Sequence, residues 1–470
     1  MAKADRQLVE ERDISLRKDI DAVACVPGAS PMARGACPSL SAPMMTGDGL
    51  LVRLRPTKPG LTIGQFRTLA QAAERHGNGL MEITARGNLQ LRGMTTESMS
   101  GLAADIERAD IVPETGVTIE IPPFSGLDPL EIADARELAS RLRQQIGALD
   151  PKPILAPKLA IIIDAGGRLS LDTITADIRL KAARTANGST AWVLAIGGTA
   201  KTAKVLASLS TEQSISAVIK LLKTLVFLGP RARGRDLDVN SLRIEYQSPA
   251  ASVLGTADPH VSPIGIHSLG GDRLALGLRP SFGQIHARDI LRFLAIAEAA
   301  GASEIRTAPE HAMVVLGLGL EAAKAVQSAA ADCGFRTRAD DPSNHLEVCA
   351  GAGACASAFY ATKSAAADLL DLAPELLDGS LSVHLSGCRK GCAHPGNSAV
   401  TIVGAPMGYG VVVNGSASSE PVAYIGKEEL KSALAEMNRL VRNNKVAGES
   451  AEECLTRLGT DAIVTALRQG

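Results

Sequence analysis

One pattern is written twice in this chain. Residues 47–93 read GDGLLVRLRPTKPGLTIGQFRTLAQAAERHGNGLMEITARGNLQLRG, and residues 270–318 read GGDRLALGLRPSFGQIHARDILRFLAIAEAAGASEIRTAPEHAMVVLGL. Each copy predicts a strand ending in Leu-Arg-Pro, a Gly-containing loop, an Ala-rich amphipathic helix, a small-residue turn and a second strand. From Pro56 to Thr84 is 28 residues and from Pro280 to Thr307 is 27, so a single gap aligns the copies. A repeat of this kind implies duplication, with two like halves packed about a pseudo-twofold axis. Ligands tend to bind where such halves meet. A further helix follows each copy, at 96–108 and 321–333, completing a ferredoxin-type unit.

With 470 residues the chain exceeds what one core supports. The expected layout is an N-terminal arm (1–36), a ferredoxin-like half-domain (37–108), an α/β domain (109–248), a linker (249–268), a second ferredoxin-like half-domain (269–335) and a second α/β domain (336–470). The fold class is therefore α+β. Hydrophobic residues at 46% and charged residues at 21% mark a globular protein with ample core material, and a net charge of −1 argues against nucleic acid as a partner. The N-terminus lacks the apolar stretch of a signal peptide. The most apolar segment, ILAPKLAIIIDAGG, carries Lys158 and Asp164 and reads as a buried strand rather than a membrane span. The expectation is a cytoplasmic protein with no membrane partner.

Half of the eight cysteines form one constellation: Cys349 and Cys355 as C-x5-C, a gap of 32 residues, then Cys388 and Cys392 as C-x3-C. Structural zinc sites space both pairs by about two to four residues, so the five-residue loop disfavours zinc. Four thiolates delivered from two Gly-rich turns suit an iron–sulfur cluster, which moves single electrons. Cys333 and Cys454 fall on apolar helix faces and read as packing residues. Cys25 and Cys37 lie in or beside the arm without an assigned role. His384 and His394 flank the second cysteine pair, where outer hydrogen bonds to a cluster or substrate are an expected use.

The segment MEITARGNLQLRG, read as one strand, places Thr84, Arg86, Asn88 and Gln90 on one face. Arg53 and Arg55 in VRLRP form a same-face pair on the neighbouring strand. Guanidinium forks bind carboxylates bidentately, so this set is read as a carboxylate clamp at the mouth of the duplicated fold, with Lys158 as a further candidate. The G-x-G-x-x-A in VVLGLGLEAA matches a dinucleotide fingerprint only formally, because the repeat places it at an ordinary strand–helix junction.

These features together resemble the siroheme sulfite and nitrite reductase superfamily: the duplicated half-domain, Thr84-x-Arg86, and C-x5-C with C-x3-C. The resemblance implies that Cys349, Cys355, Cys388 and Cys392 hold a [4Fe-4S] cluster, with Cys392 at the position that bridges to siroheme iron. Within it the chain is most similar to the precorrin-3B synthase branch, through CAGAGACASA, HLSGCRKGCAHP and the opening ACPSLSAPMMTGDGLLVRLRP. Two departures separate it from the reductases. Their K-x-K strand is LAPKLA here, with Ala160 in place of the second Lys, and their Asn-Arg-Asn segment has no counterpart, 122–129 reading PPFSGLDP. A pocket lacking those cations stabilises sulfite poorly.

The resemblance thus implies oxygen-dependent hydroxylation and γ-lactone formation on precorrin-3A, with Arg53, Arg55, Arg86 and Lys158 holding carboxylates and Thr84, Asn88 and Gln90 orienting the ring edge. Dioxygen supplies the oxygen atom. Electrons come formally from NADH, through the cluster and with room for a reductase partner. A cluster with four cysteines has no open position for dioxygen, which makes a separate mononuclear non-haem iron attractive. No local two-His-one-carboxylate motif supplies its ligands. The alternatives are a siroheme-dependent sulfite or nitrite reductase, the only reading that needs siroheme, and a non-catalytic electron-transfer or scaffold protein.

Overall fold

A computed structural model describes residues 38–185, 187–246 and 261–469, whose strands form four sheets. The arm at 1–36 with Cys25, as well as Cys37, lies outside the described residues. So do 249–260 of the expected linker; its last four residues, Gly265–Ser268, form a strand of the second half.

The two repeats build two antiparallel sheets that exchange a strand. The first runs Met44–Thr46, Gly49–Leu54, Leu89–Met94, Leu80–Ile83, and then Gln284–His286 from the second repeat. The other runs Gly265–Ser268, Leu274–Pro280, Ala312–Leu318, Glu304–Ala308, and then Leu61–Thr62 from the first repeat. Ile285 pairs with Met81 and Ile305 with Leu61, so the swap is reciprocal. Each exchanged strand leads directly into a helix, Ile63–His76 or Ala287–Ala299. Thr62 starts the first helix as a capping box with Gln65.

These two helices pack against one another and share one core, in which Phe66, Leu69 and Ala73 meet Ile290, Phe293 and Leu294. Burying each large apolar side chain is worth roughly 1.5–3 kcal/mol. The halves are therefore one hydrophobic body. Alternation sends Leu50, Val52, Leu54, Leu89 and Leu91 into this core and leaves Arg53, Gln90 and Arg92 on the opposite face.

The duplication extends into the α/β regions. The strands Thr118–Glu120, Ala160–Asp164, Ile178–Arg184, Thr190–Ile196 and Lys204–Leu209 pair parallel, parallel, antiparallel and antiparallel. The strands Leu346–Val348, Val383–Ser386, Ser398–Ala405, Gly408–Gly415 and Ala423–Gly426 repeat that succession. ILAPKLAIIIDAGG supplies Ala160–Asp164, buried throughout. The Gly-x-Gly segment joins Ala312–Leu318 to the helix Leu320–Asp332, and both neighbours of that strand are antiparallel, so no βαβ unit exists there. Among the described residues no helix is long and apolar enough to cross a membrane.

One sequence expectation is corrected. MEITARGNLQLRG is a hairpin, not one strand: Leu80–Ile83 and Leu89–Met94 flank a turn over 84–88. The Thr84 amide donates to Asn88 O (2.9 Å) and the Gly87 amide to Thr84 O (2.8 Å). Gly87 has φ 75, and an added Cβ would lie 2.8 Å from the Ala308 carbonyl carbon, so backbone conformation and close approach both require glycine. The tips of the two repeats' hairpins touch here: Glu310 N donates to Ala85 O (2.9 Å).

Candidate active site

Both cysteine pairs sit just past the carboxyl ends of adjacent parallel strands. Cys349 follows Leu346–Val348 and Cys388 follows Val383–Ser386, and Val348 pairs with Leu385. This is where open α/β sheets place ligands. The loops are tied together by Phe359 N donating to Gly387 O (2.9 Å) and by the Gly387 amide donating to Cys349 Sγ (3.1 Å). A Cβ on Gly387 would fall 2.6 Å from Ala358 Cβ and 3.4 Å from Cys349 Sγ, so the approach depends on a bare α-carbon. Thr362, at the start of the helix Thr362–Leu372, donates its hydroxyl to Cys349 O (2.8 Å).

Cys349, Cys355 and Cys388 are free thiols, and Cys392 is exposed. Burial, followed by the neighbouring Cys392 and Cys355, pushes the Cys388 thiol up. Cys392 and Cys355 are thus both within electrostatic reach of Cys388. Among the described residues no three His, Cys, Asp or Glu side chains already surround a point suited to one metal ion. A lone tetrahedral zinc, bonded at 2.3 Å, would draw its sulfurs to about 3.8 Å. A cube ligated at its corners holds them further apart, and cysteine sulfurs with an amide already bonded to one of them are the donor chemistry such a group takes. Cys333 and Cys454 are buried packing residues.

The first half reaches this loop through Arg92, a residue the sequence reading missed. Its side chain, 4% exposed, donates to Asp48 (2.9 and 2.8 Å), Glu82 (3.2 Å) and the Ala354 carbonyl inside C-x5-C (2.5 Å). Gly47 packs on the same loop, where a Cβ would meet Ala356 N at 2.7 Å.

Along the polar face of the first sheet, five of the seven expected substrate contacts come together. Arg53 donates to Gln90 Oε1 from Nε (3.1 Å) and Nη2 (2.7 Å), and Gln90 donates to Glu82 (2.5 Å). Arg55 donates to Asn88 Oδ1 (2.8 Å) and Glu120 (2.8 Å). Arg86 forks onto both Glu120 oxygens (3.0 and 2.7 Å) and donates to Thr175 O (2.8 Å). Burial alone would raise the Glu120 carboxyl, but Arg55 and Arg86 outweigh it and hold it below the usual range.

Thr84 instead spends its hydroxyl on the turn, accepting from Asn88 N (3.0 Å). Lys158 is exposed, its backbone carbonyl accepts from Arg233 Nη2 (3.1 Å), and among the described residues its ammonium has no bond to this group. The face is thus a nearly balanced network, Arg53, Arg55, Arg86 and Arg92 against Asp48, Glu82 and Glu120, rather than a bare cationic array. Period-two extension from Gln90 would have found Arg92; Glu120, 34 residues from Arg86, left no local signal.

Lys363, also missed, lies where this network nears the cysteines. Burial lowers its ammonium to about 8, countered by Glu82. Near the second cysteine pair, His384 is fully buried, neither ring nitrogen has a hydrogen-bond partner among the described residues, and its ring stands 5.9 Å from that of His394.

Comparison with known proteins follows the same lines. Residues 42–109 match the model of the nitrite/sulfite reductase ferredoxin-like half domain. A precorrin-3B synthase from Sinorhizobium is 50% identical, covering 93% of this chain and 95% of its own length. A ferredoxin–nitrite reductase from Leptolyngbya laminosa is 27% identical, covering 82% of this chain and 81% of its own length. The solved structure of Mycobacterium tuberculosis NirA superposes with a TM-score of 0.70 at 17% identity, covering 88% of this chain and 84% of its own, which bears on fold alone. With half its residues shared over nearly its full length, the chain belongs to the precorrin-3B synthase family, within the nitrite/sulfite reductase superfamily, and is an oxidoreductase.

Proposed function

We propose that the chain hydroxylates precorrin-3A with dioxygen and closes a γ-lactone from the ring A acetate, giving precorrin-3B. The observation that carries this reading is the full-length identity to the Sinorhizobium synthase; that family supports a role in cobalamin biosynthesis. One atom of dioxygen enters the new tertiary alcohol between rings A and D. The other leaves as water, with two electrons drawn formally from NADH, through a reductase partner or directly, and a proton from solvent.

Cys349, Cys355, Cys388 and Cys392 would hold a [4Fe-4S] cluster, which supplies electrons singly when bound. The chain's own work is to hold the macrocycle. Arg55 bonds internally through Nε and Nη2, so its Nη1 can meet an acetate or propionate arm without breaking the network. Arg86, 35% exposed, reaches the same face. Asn88 and Gln90 hold the guanidinium planes of Arg55 and Arg53, and Thr84 holds the turn that carries Arg86, so these three orient the ring edge through the arginines. Lys158, being exposed, would meet an arm only from solvent. Glu120 and Glu82 limit the net positive charge, which suits a neutral ring with peripheral carboxylates better than a small anion.

A siroheme-dependent reductase remains the second reading, on the 27% identity to a nitrite reductase. The spectrum of anaerobically purified protein separates them. The synthase should show broad iron–sulfur absorption without Soret or haem-type bands; siroheme bands in stoichiometric amount would overturn the proposal.

A further inference from the structure

The helix after the first parallel strand of each α/β sheet occupies the same place in both halves, yet the two begin differently. In the first half Ala135–Gly147 starts in the ordinary way: the Asp134 carboxylate caps it, accepting from Arg136 N (2.8 Å), and Glu137 lies in the first turn. Negative groups belong there, because the free amides at a helix N-terminus carry about half a positive charge. In the second half Thr362–Leu372 has no side-chain cap at Ala361 and no acid in its first turn. Lys363 stands at its second position instead, where a cation opposes the helix dipole.

Lys363 is also half-buried, a further cost for an ammonium. Among the described residues it makes no hydrogen bond, and the charged or titratable groups within its electrostatic reach are Glu82, Arg92, Cys349 and Asp48. Both carboxylates are already engaged by Arg92 (3.2 and 2.8 Å), which itself repels the ammonium. Cys349 is the remaining group. The loop that carries it is seated on this helix start: Thr362 donates to Cys349 O (2.8 Å), Ala352 N donates to Tyr360 O (2.8 Å), and a Cβ on Gly351 would lie 2.5 Å from Thr362 Oγ1. Lysine and cysteine loop are thus held together by close backbone contacts. Lys390, inside C-x3-C, is the contrasting case: it is exposed, donates to Ser357 Oγ (2.7 Å), and has its charge screened by water.

We propose that Lys363 sets the reduction potential of the cluster held by Cys349, Cys355, Cys388 and Cys392, its ammonium offsetting the negative charge that reduction adds there. Net charge around an iron–sulfur cluster is one of the determinants of its potential, and a charge shielded from water acts more strongly than one at the surface. The unfavourable placement of a lysine at a helix start is then balanced by the thiolates in front of it. One electron passes from an external reductant to the cluster, and Lys363 neither gains nor loses a proton. The inference rests on the cluster reading and is independent of the substrate held by the polar face.

The test is a redox titration of anaerobically reconstituted full-length protein at pH 7, below the value of about 8 to which burial lowers the ammonium. The paramagnetic signal of the reduced cluster gives the midpoint in the unaltered chain, Lys363→Met, Lys363→Arg and Lys390→Met. Lys363→Met should make reduction roughly tenfold less favourable, about 59 mV for a one-electron couple. Lys363→Arg should stay close to the unaltered protein, and Lys390→Met should shift less than Lys363→Met. An unmoved midpoint in Lys363→Met, a shift no larger than that of Lys390→Met, or an equal drop in Lys363→Arg would overturn the proposal. Should Lys363→Met take up no cluster, Glu82→Gln decides: removing the carboxylate that the ammonium feels most should raise the midpoint, and an unmoved or lower one sinks the idea. Labile sulfide with an unmoved midpoint refutes this inference alone, whereas an unaltered chain without labile sulfide refutes the cluster reading along with it.

Discussion

Arg92→Met removes the guanidinium that joins the first half to the first cysteine loop while keeping most of its apolar stem. Two carboxylates then lose their cation: Asp48, 12% exposed, and Glu82, 10% exposed. Breaking a buried ion pair from one side costs about 3–5 kcal/mol. The lower end applies, because Asp48 keeps Thr46 and Asn78 as donors and Glu82 keeps Gln90. A loss of about 3 kcal/mol is a factor of roughly a hundred in an opening equilibrium. Urea unfolding followed by circular dichroism reads the loss. Bleaching of the iron–sulfur absorption by a chelator should quicken toward the same factor, because the lost bond to Ala354 O frees the loop. Adding Asp48→Asn and Glu82→Gln removes the stranded charges and should recover more than half of the stability. Two results would refute the reasoning: a single variant within about 0.5 kcal/mol of the unaltered protein, or a triple variant no better than the single one.

The other predictions are local. Cys388→Ser should abolish labile sulfide and activity together, and full sulfide retention would remove Cys388 from the ligand set. Gly387→Ala forces apart loops already in contact and should cost about 1–3 kcal/mol with faster chelator bleaching; unchanged bleaching would contradict the close approach. Burial raises the Glu131 carboxyl to about 7, so the folded state holds a proton that the unfolded chain releases near 4.5. Its stabilising contribution is complete below about pH 4.5 and is lost as pH rises through 7. Glu131→Gln, which can still accept from Gly126 N, should match the unaltered protein near pH 4 and exceed it at pH 8 by about 1 kcal/mol after solvent screening. Parallel stability–pH curves for the two proteins would refute this.

What was legible in the sequence followed from spacing. The Leu-Arg-Pro repeats foretold two like sheets because alternation and helical periodicity survive in both copies, and the α+β class follows from them. The strand exchange was hidden: Leu61–Thr62 and Gln284–His286 are too short to carry a period, and only their partners in the opposite repeat define them. The hairpin at 84–88 was misread because Gly87 lies within an otherwise alternating run, and a left-handed glycine there ends one strand and begins the next. Arg53 with Arg55, and Arg86 with Asn88 and Gln90, stood out because each set alternates within a few residues of chain; that the two sets meet, 33 and 37 residues apart, follows from strand pairing. Glu120, which balances the charge at the first hairpin tip, is brought in by a tertiary contact that leaves no local mark.

The most direct measurement is to mix the anaerobically purified, reduced protein with precorrin-3A under isotopically heavy dioxygen and weigh the product. A gain of one heavy oxygen atom, with lactone closure, is the predicted result. Unlabelled product, or substrate returned unchanged while sulfite or nitrite is reduced by the same preparation, would contradict it.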